Sequence, residues 1–382
     1  MKVEQVYELT NTIAQELLAE SVIVNEDLSN VVDIGKAFEN MGDRYDKYVR
    51  SLHDHIGKMV FVDRVYAGSA PSILVDGWEF GSILEKVRAS MPVAEENESW
   101  ELQDRTSYDP NIFYKPTVSA KFFNNKVTFE IPISITEKQV KSAFDNATQL
   151  NAFYSMIYTA VQKAMTVRLD ALIERTINAG IAETMYDAFP AGTYTGSTVR
   201  AVNLLKLYND SVAQADQLTA EQALRLDNEN FLKKCAFIMG KYVDRLGKLS
   251  TSYNIGGTEK FTPKDMLHFV LLSDFKRSAD VYLQSDTFHN EFTRLPDAEV
   301  VPYWQGEAVE HKIMVKTPTG HDVTLTGIMG VMFDRDAMVV ANMDRRTTTN
   351  YNPKAEFWNE WHKMDAQYIL DLDENIVVFF IA

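Results

Sequence analysis

The segment KPTVSAKFFNNKVTFEIPISIT (115–136) decides the fold. Over residues 126–135 apolar side chains alternate with mostly polar ones, and residues 118–122 alternate in a similar way. Such alternation is typical of a half-buried β-strand. Asn124 and Asn125 separate the two runs, and asparagine tolerates the positive φ that a two-residue turn needs. The segment therefore predicts a long β-hairpin.

One face of this predicted hairpin is apolar along its length. An isolated two-stranded ribbon is marginal in water, and a large apolar face needs a surface to cover it. Pro132 cannot donate a ladder hydrogen bond, so its strand is predicted to lie at a sheet edge. If the chain's own core does not cover the apolar face, a neighbouring subunit must. The residues predicted to make this contact are Phe122, Val127, Phe129, Ile131 and Ile133.

A long helix is predicted after the hairpin. Thr136 and Gln139 fit a capping box. After a break near Asn146, helical spacing of apolar residues continues over residues 150–179, and Gly180 is the expected C-cap. Thirty residues of helix span about 45 Å, which suggests a structural strut.

The rest of the chain predicts a compact α/β unit followed by closing strands. Helices are expected near residues 199–216, 229–246 and 275–284. Strands are expected near residues 267–272, 299–304, 311–316, 326–333, 337–342, 343–350, 359–370 and 376–382. A loop at 350–358 and an acidic turn at 371–375 connect the last of these strands.

Composition excludes several classes of protein. The 382 residues include 38 Lys and Arg and 54 Asp and Glu, which gives a net charge of −16. A protein whose main function is to bind nucleic acid is therefore disfavoured. One cysteine excludes an internal disulfide framework and a zinc ribbon. The N-terminus does not read as a signal peptide, and no apolar run approaches the ~18 residues of a membrane span. We expect a reducing cytoplasm, or a particle assembled there.

The sequence holds no catalytic motif of the GxGxxG, GxxxxGK[ST], HExxH, GxSxG or CxxC type. Cys235 has apolar neighbours, so a buried packing thiol is the better account of it than a nucleophile. Two metal-like groups have better explanations as a solvated helix surface and as an acidic β-turn. These groups are His53-Asp54-His55 and the set Asp371, Asp373 and Glu374. We expect no catalytic, cofactor or metal site.

Aromatic residues crowd the predicted loop at 350–358 and the strand after it. Core packing explains them, and so does a subunit contact, because aromatic side chains are enriched at the centres of interfaces. Both accounts stay open from the residues alone. The candidate contact residues at this tip are Asn352, Phe357, Trp358 and Trp361.

This order of parts resembles the major capsid proteins of tailed bacteriophages, the Hong Kong 97-type family. The resemblance covers essentially the whole chain. The segments that carry it include MLHFVLLSDFKRSADVYL (266–283), GVMFDRDAMVVAN (330–342) and the C-terminal part at 348–380, which resembles podovirus-like capsid proteins. It implies an α+β Hong Kong 97-like fold with an N-terminal arm, an E-loop hairpin, a spine-helix peripheral domain and an axial α/β domain. The implied bounds are 1–95 for the N-terminal arm and helices, 96–136 for the E-loop hairpin, 137–196 and 341–371 for the peripheral domain, and 197–340 and 372–382 for the axial domain.

The resemblance also implies a function, which is structural and not enzymatic. Subunits of this kind form the pentamers and hexamers of an icosahedral shell that encloses double-stranded DNA, assembled in the host bacterial cytoplasm. No scaffold-like segment precedes the arm, so a separate scaffolding protein and a portal are the expected partners, with no membrane. The alternatives are an encapsulin-like cellular compartment, a soluble α/β enzyme with an unrecognised site, and a portal or tail protein.

Overall fold

The computed structural model describes residues 71–76, 84–89, 101–108, 113–115, 117–143, 147–283, 295–305 and 311–382, with the single positions 11, 92 and 111. The strands are β1 Leu74–Asp76, β2 Leu84–Ala89, β3 Val118–Phe123, β4 Lys126–Thr136, β5 Ala201–Asn203, β6 Leu267–Leu272, β7 Glu299–Val301, β8 Ile313–Lys316, β9 Asp322–Leu325, β10 Ile328–Asp334, β11 Met338–Asn352, β12 Phe357–Leu370 and β13 Ile376–Phe380. The helices are α1 Glu137–Ala143, α2 Ala147–Ala188, α3 Leu204–Asn209, α4 Ala220–Leu224, α5 Glu229–Leu246 and α6 Ser273–Leu283. The class is α+β, as predicted. The predicted N-terminal helices and the triplet at 53–55 lie outside the described residues.

Two sheets organise the subunit. The first has four strands in the order β1-β11-β12-β4, and the long strands β11 and β12 pair antiparallel along most of their lengths. The second has five strands in the order β5-β13-β10-β6-β7, and all residues of β10 and β13 are buried. Helix α2 packs against strands of both sheets, so one continuous core joins them. Pro132 lies on β4, an edge of the four-stranded sheet, which confirms the prediction for this strand.

The predicted pairing of residues 118–122 with residues 126–135 is wrong. Strand β3 pairs with β2 in a separate two-stranded sheet, and β4 pairs with β12 over eleven positions from Lys126 to Thr136. At the junction, the backbone N–H of Tyr368 donates to Asn125 O at 3.1 Å, so β12 anchors the start of β4. Alternation identifies the buried face of a strand but not its partner, and here two distant segments supply the partners. The two-stranded ribbon that contains residues 118–122 is therefore β2–β3, and we call it the β2–β3 hairpin.

Helix α2 is longer than predicted. It runs through Gly180 and ends at Ala188, just before Pro190, which cannot continue a helix. Gly180 therefore does not cap the helix. A Cβ built there would lie 2.7 Å from Met338 Sδ, so the glycine permits close approach of the helix to β11. The predicted capping box is confirmed at the start of α1, before the predicted break, where Thr136 Oγ1 accepts from Gln139 N at 3.3 Å and Gln139 Oε1 accepts from Thr136 N at 2.9 Å.

The α/β unit forms largely as predicted. Helix α5 and strand β6 have the predicted bounds. Helix α5 buries Phe231, Leu232 and Cys235, and Phe231 packs on Tyr208 of α3 with ring centroids 5.5 Å apart. The helix predicted near 199–216 is instead strand β5 followed by the shorter helix α3. Strand β11 is continuous through the point where two strands were predicted. In the described part of the chain, no helix is long and apolar enough to cross a membrane.

Candidate subunit-contact site

The β2–β3 hairpin has two chemically different faces. Its register places Lys86 opposite Lys121 and Val87 opposite Ala120, and side chains alternate between faces along each strand. One face therefore carries Lys86, Arg88 and Lys121. The other carries mainly apolar residues, among them Val87, Val118 and Phe122, with Glu85 at the position opposite Phe122. We call these the basic face and the apolar face of the hairpin.

The basic face lies on the acidic turn between β12 and β13. Lys86 Nζ is 2.9 Å from Asp371 Oδ2 and 2.5 Å from Glu374 Oε1. Arg88 Nη2 is 2.5 Å from Asp371 Oδ2 and 2.9 Å from Glu374 Oε1. Lys121 Nζ is 2.9 Å from Asp371 Oδ1. These contacts attach the hairpin to the five-stranded unit through charge, and we call the cluster the hairpin latch.

Two more groups complete the hairpin latch. Arg88 Nη1 and Lys121 Nζ reach Asp373 Oδ2 at 3.0 and 3.1 Å. From the loop before β6, Lys260 Nζ contacts Glu374 Oε1 at 2.8 Å. The acidic residues here form the β-turn expected from the sequence, and their counter-ions are side chains of the same subunit.

The electrostatics of the hairpin latch favour the ionised carboxylates. Burial raises the pKa of Asp371, but hydrogen bonds and charge from Lys121 and Lys86 outweigh it and hold that pKa below its ordinary value. Burial likewise opposes ionisation of Glu374, and Lys260 and Lys86 lower its pKa overall. The side chain of Asp371 is fully buried, so this attraction acts in a region that water screens poorly.

The described residues leave the apolar face of the hairpin uncovered. Val87, Val118 and Phe122 are 60%, 59% and 62% exposed. Phe113 and Tyr114, on the segment that leads into β3, are also strongly exposed. Neighbouring apolar side chains at this exposure are typical of an interaction surface.

Four of the predicted contact residues lie elsewhere. Val127, Phe129, Ile131 and Ile133 are half-buried on β4, where they pack against the subunit's own core. The premise that this face has no internal cover is therefore wrong for β4. Phe122, on the hairpin, remains in the surface for which we predict a subunit contact.

The tip of β11 and β12 places its four predicted residues differently. Asn352 is exposed, and its Oδ1 accepts from the backbone N–H of Lys354 at 3.0 Å, which shapes the turn. Phe357 and Trp361 are half-buried. Trp358 is 2% exposed and packs on Tyr351 with ring centroids 4.9 Å apart. For Trp358 the structure favours core packing, and for the other three a subunit contact stays a prediction.

Other titratable groups are explained by packing. The Cys235 thiol is buried, and burial raises its pKa well above the ordinary value. Glu299 accepts from Ser72 Oγ at 2.7 Å and lies 3.0 Å from His268 Nδ1. Burial opposes ionisation of Glu299, but these hydrogen bonds lower its pKa to about 2. Among the residues that the structure describes, no group of His, Cys, Asp and Glu is placed to hold a metal ion.

Sequence reasoning missed the hairpin latch. The signal was the segment LEKVRA (84–89), in which Lys86 and Arg88 alternate with apolar residues in the pattern of a two-sided strand. The acidic turn was identified from the sequence, but Arg88 lies more than 280 residues before Asp371, its partner in that turn. A pairing of that separation has no local signature.

The fold and this site define a class, an α+β subunit with an apolar hairpin face that its described residues leave uncovered. The chain belongs to the Phi29-like phage major capsid protein family, whose profile matches residues 10–380. This confirms the predicted role as a phage major capsid protein, and the alternatives are not favoured. The subunit is a virion capsid protein of a family that assembles oligomeric shells.

Several solved phage structures resemble the chain. A chain in the capsid structure of Staphylococcus phage Andhra is 10% identical, with 82% of this chain and 84% of that chain covered and a TM-score of 0.49. A chain in the structure of the head fiber and inner core protein gp22 of native bacteriophage P68 is 9% identical, with 81% of this chain and 83% of that chain covered and a TM-score of 0.48. A chain in the capsid structure of the Cyanophage P-SCSP1u is 10% identical, with 83% of this chain and 88% of that chain covered and a TM-score of 0.45. No curated protein matches the chain.

Proposed function

We propose that this subunit forms the pentamers and hexamers of an icosahedral shell around double-stranded DNA. Assembly takes place in the host bacterial cytoplasm, with a separate scaffolding protein and a portal. The observation that carries the proposal is the apolar face of the β2–β3 hairpin, which the described residues leave uncovered although three cations of its other face pair with the acidic turn.

The hairpin acts as an arm with one bound side and one free side. The hairpin latch holds the basic face of the arm on its own subunit. The free side lies against a neighbouring subunit and buries Val87, Val118 and Phe122. Complete burial of such side chains stabilises a contact by about 1.5–3 kcal/mol each. A closed shell repeats this contact many times, so each copy of it can be weak.

A second contact involves the tip of β11 and β12. Asn352, Phe357 and Trp361 surround the turn there and would meet their counterparts where capsomers join. The tip is well supported, because the backbone N–H of Glu137 donates to Glu356 O at 2.9 Å and so joins the turn to the start of α1. A supported turn loses little conformational entropy when it enters a contact.

The net charge of −16 suits a container for DNA. Phosphates and a negatively charged wall repel each other, so packaged DNA is confined without adhering to the protein. A shell that bound DNA tightly would instead need a strongly basic inner surface.

Negative-stain electron microscopy tests the proposal. The purified protein is imaged alone and after co-expression with its gene neighbours. We expect closed particles tens of nanometres across, or flat sheets of capsomers. Discrete dimers or tetramers under every condition would overturn the proposal.

A further inference from the structure

The outer side of helix α5 carries a groove of about 1000 Å³ that differs in charge from the rest of the chain. Four of its lining side chains are cationic and one is anionic, in a protein whose net charge is −16. The cations are Lys233, Lys241, Arg245 and Lys248.

Apolar side chains lie between these cations. Phe237 is 64% exposed and Leu249 is 42% exposed. Gly240 lies between Phe237 and Lys241, and a Cβ built on it would meet nothing within 4 Å, so the groove is open at this point. A basic rim with an apolar floor is suited to an acidic protein surface, because the charges give orientation and the exposed ring gives buried area.

The opposite end of the same helix carries the complementary charge. The segment from Asp210 to Glu229, which leads into α5, holds five carboxylates and a single arginine. Asp216, Glu221 and Asp227 in this segment are exposed. Helix α5 has 18 residues and is therefore about 27 Å long. Lys233 lies one turn from its start and contacts Glu229 at 2.6 Å, whereas Lys241, Arg245 and Lys248 lie toward or beyond its C-terminal end. These last three cations and the acidic segment are therefore at opposite ends of the helix.

We propose that the α5 groove of one subunit receives the acidic 210–229 segment of a second copy. This proposal rests on the shell function proposed above and assigns one of its contacts. Two chains of charge −16 repel each other, and a contact between them is favoured where one partner presents positive charge. A contact between different surfaces of identical subunits is head-to-tail, and such contacts close into rings when the rotation allows. Pentamers and hexamers are rings of this kind.

Charge exchange tests the contact. One variant combines Lys241→Glu with Lys248→Glu, a second combines Asp216→Lys with Asp227→Lys, and a third carries all four changes. We expect each of the first two to reduce the yield of closed shells about tenfold or more, through repulsion between the like charges now facing each other. We expect the third to recover shells, because the two surfaces are again complementary.

A matched control separates complementarity from net charge. The acidic-end variant is combined with Lys163→Glu and Lys316→Glu, two exposed lysines on α2 and β8. This control returns the net charge to −16, as the four-change variant does, but it leaves the α5 groove positive. We expect it to stay defective. Circular dichroism and thermal unfolding of each subunit verify that it folds.

The outcomes distinguish the two proposals. Normal shells from either two-change variant, or no recovery in the four-change variant with folded subunits, would overturn the α5 contact and leave the shell function standing. The groove would then serve an acidic partner of another kind. A wild-type protein that forms no particles or rings would overturn both proposals.

Discussion

Phe122 and Phe123 are consecutive residues of β3 with opposite environments, since Phe122 is 62% exposed and Phe123 is 6% exposed. The alternation of the strand turns Phe122 outward and Phe123 toward the subunit, where its carbonyl accepts from Gln367 Nε2 at 3.0 Å. The pair separates the role of the hairpin in assembly from its role in folding.

We expect Phe122→Asp to leave the subunit folded and to abolish closed shells, because it replaces an exposed ring of the uncovered face by a charge. Its unfolding free energy should change by less than about 0.5 kcal/mol, as for an ordinary surface substitution. Phe123→Asp should destabilise the subunit by about 3 kcal/mol or more, because it removes a buried ring and buries a charge. Urea unfolding and electron microscopy measure the two effects. Shells of normal yield from Phe122→Asp would exclude this face from assembly.

The hairpin latch predicts a large effect of Asp371→Asn. Asp371 has a fully buried side chain within 3 Å of Lys86, Arg88 and Lys121, so the change leaves cations without their counter-charge. We expect a loss of about 2–4 kcal/mol, somewhat less than for a fully buried pair because the cations are partly exposed. Faster amide exchange in residues 84–89 and 118–123 would locate the loss in the hairpin.

The control for the hairpin latch is Asp344→Asn. The side chain of Asp344 is 73% exposed and lies 3.8 Å from Arg346 Nη1, so removing its charge should lower the unfolding free energy by less than about 0.5 kcal/mol.

The hairpin latch also predicts that the stability of the subunit is sensitive to acid. The pKa values of Asp371 and Glu374 are lowered from 3.8 and 4.5 on folding, so their contribution is complete above about pH 5 and falls as the pH drops below 4. Equal acid sensitivity of Asp371→Asn and the wild type would contradict the assignment.

The extent to which the sequence predicts this fold depends on the distance over which each signal acts. Helix α5 and strand β6 were predicted to the residue, because caps and apolar periodicity are local. The junction at Asn124 and Asn125 was identified as a boundary, yet the partner of each flanking strand was wrong. The choice between a two-residue hairpin and a pairing with β12 depends on residues 357–370, and no local pattern encodes it.

The candidate site follows the same division. Phe122 was identified because alternation marks an apolar strand face, whereas Val127 to Ile133 share that alternation and are covered by the core. Alternation predicts that a face is apolar, and only the tertiary fold determines what covers it. The latch cations escaped prediction because a lysine on an exposed strand and a lysine over a buried carboxylate have the same local sequence.

Gly327 predicts a strong effect of adding one methyl group. Its φ is +75°, and a Cβ there would lie 2.1 Å from the carbonyl oxygen of Ile381. The backbone N–H of Ile381 donates to the carbonyl oxygen of Gly327 at 2.8 Å, so the two chain segments are held close together. Gly327→Ala therefore forces a backbone shift beside β13, and we expect a loss of about 3 kcal/mol or more. Gly192 is the matched control, with φ of +70° and nothing within 4 Å of its Cβ position, and Gly192→Ala should cost about 1 kcal/mol. Similar unfolding midpoints for the two variants would show that the positive φ, and not the contact with Ile381, determines the loss of stability in both.

The buried carboxyl of Glu360 predicts an unusual dependence of stability on pH. Glu360 lies on β12 opposite Ile133, and burial raises its pKa to about 9. In the folded subunit the carboxyl is protonated at pH 7, whereas in the unfolded chain it ionises above about pH 4.5. The wild type therefore loses stability as the pH rises from 4.5 toward 9. The neighbouring His362, whose pKa burial lowers to about 4, acts in the opposite direction and only below pH 6.5.

Glu360→Gln isolates this effect, because the amide has nearly the shape of the protonated acid and does not ionise. We expect the variant to exceed the wild type in unfolding free energy by about 2–4 kcal/mol at pH 8, with the difference shrinking toward zero near pH 4. Glu130→Gln, on the exposed face of β4, should run parallel to the wild type because Glu130 makes one partly exposed ion pair, 3.3 Å from Lys363 Nζ. Urea titrations at pH 5, 6.5 and 8 measure all three proteins. If Glu360→Gln and the wild type keep a constant difference across these pH values, Glu360 is ionised in the folded subunit and the burial argument fails.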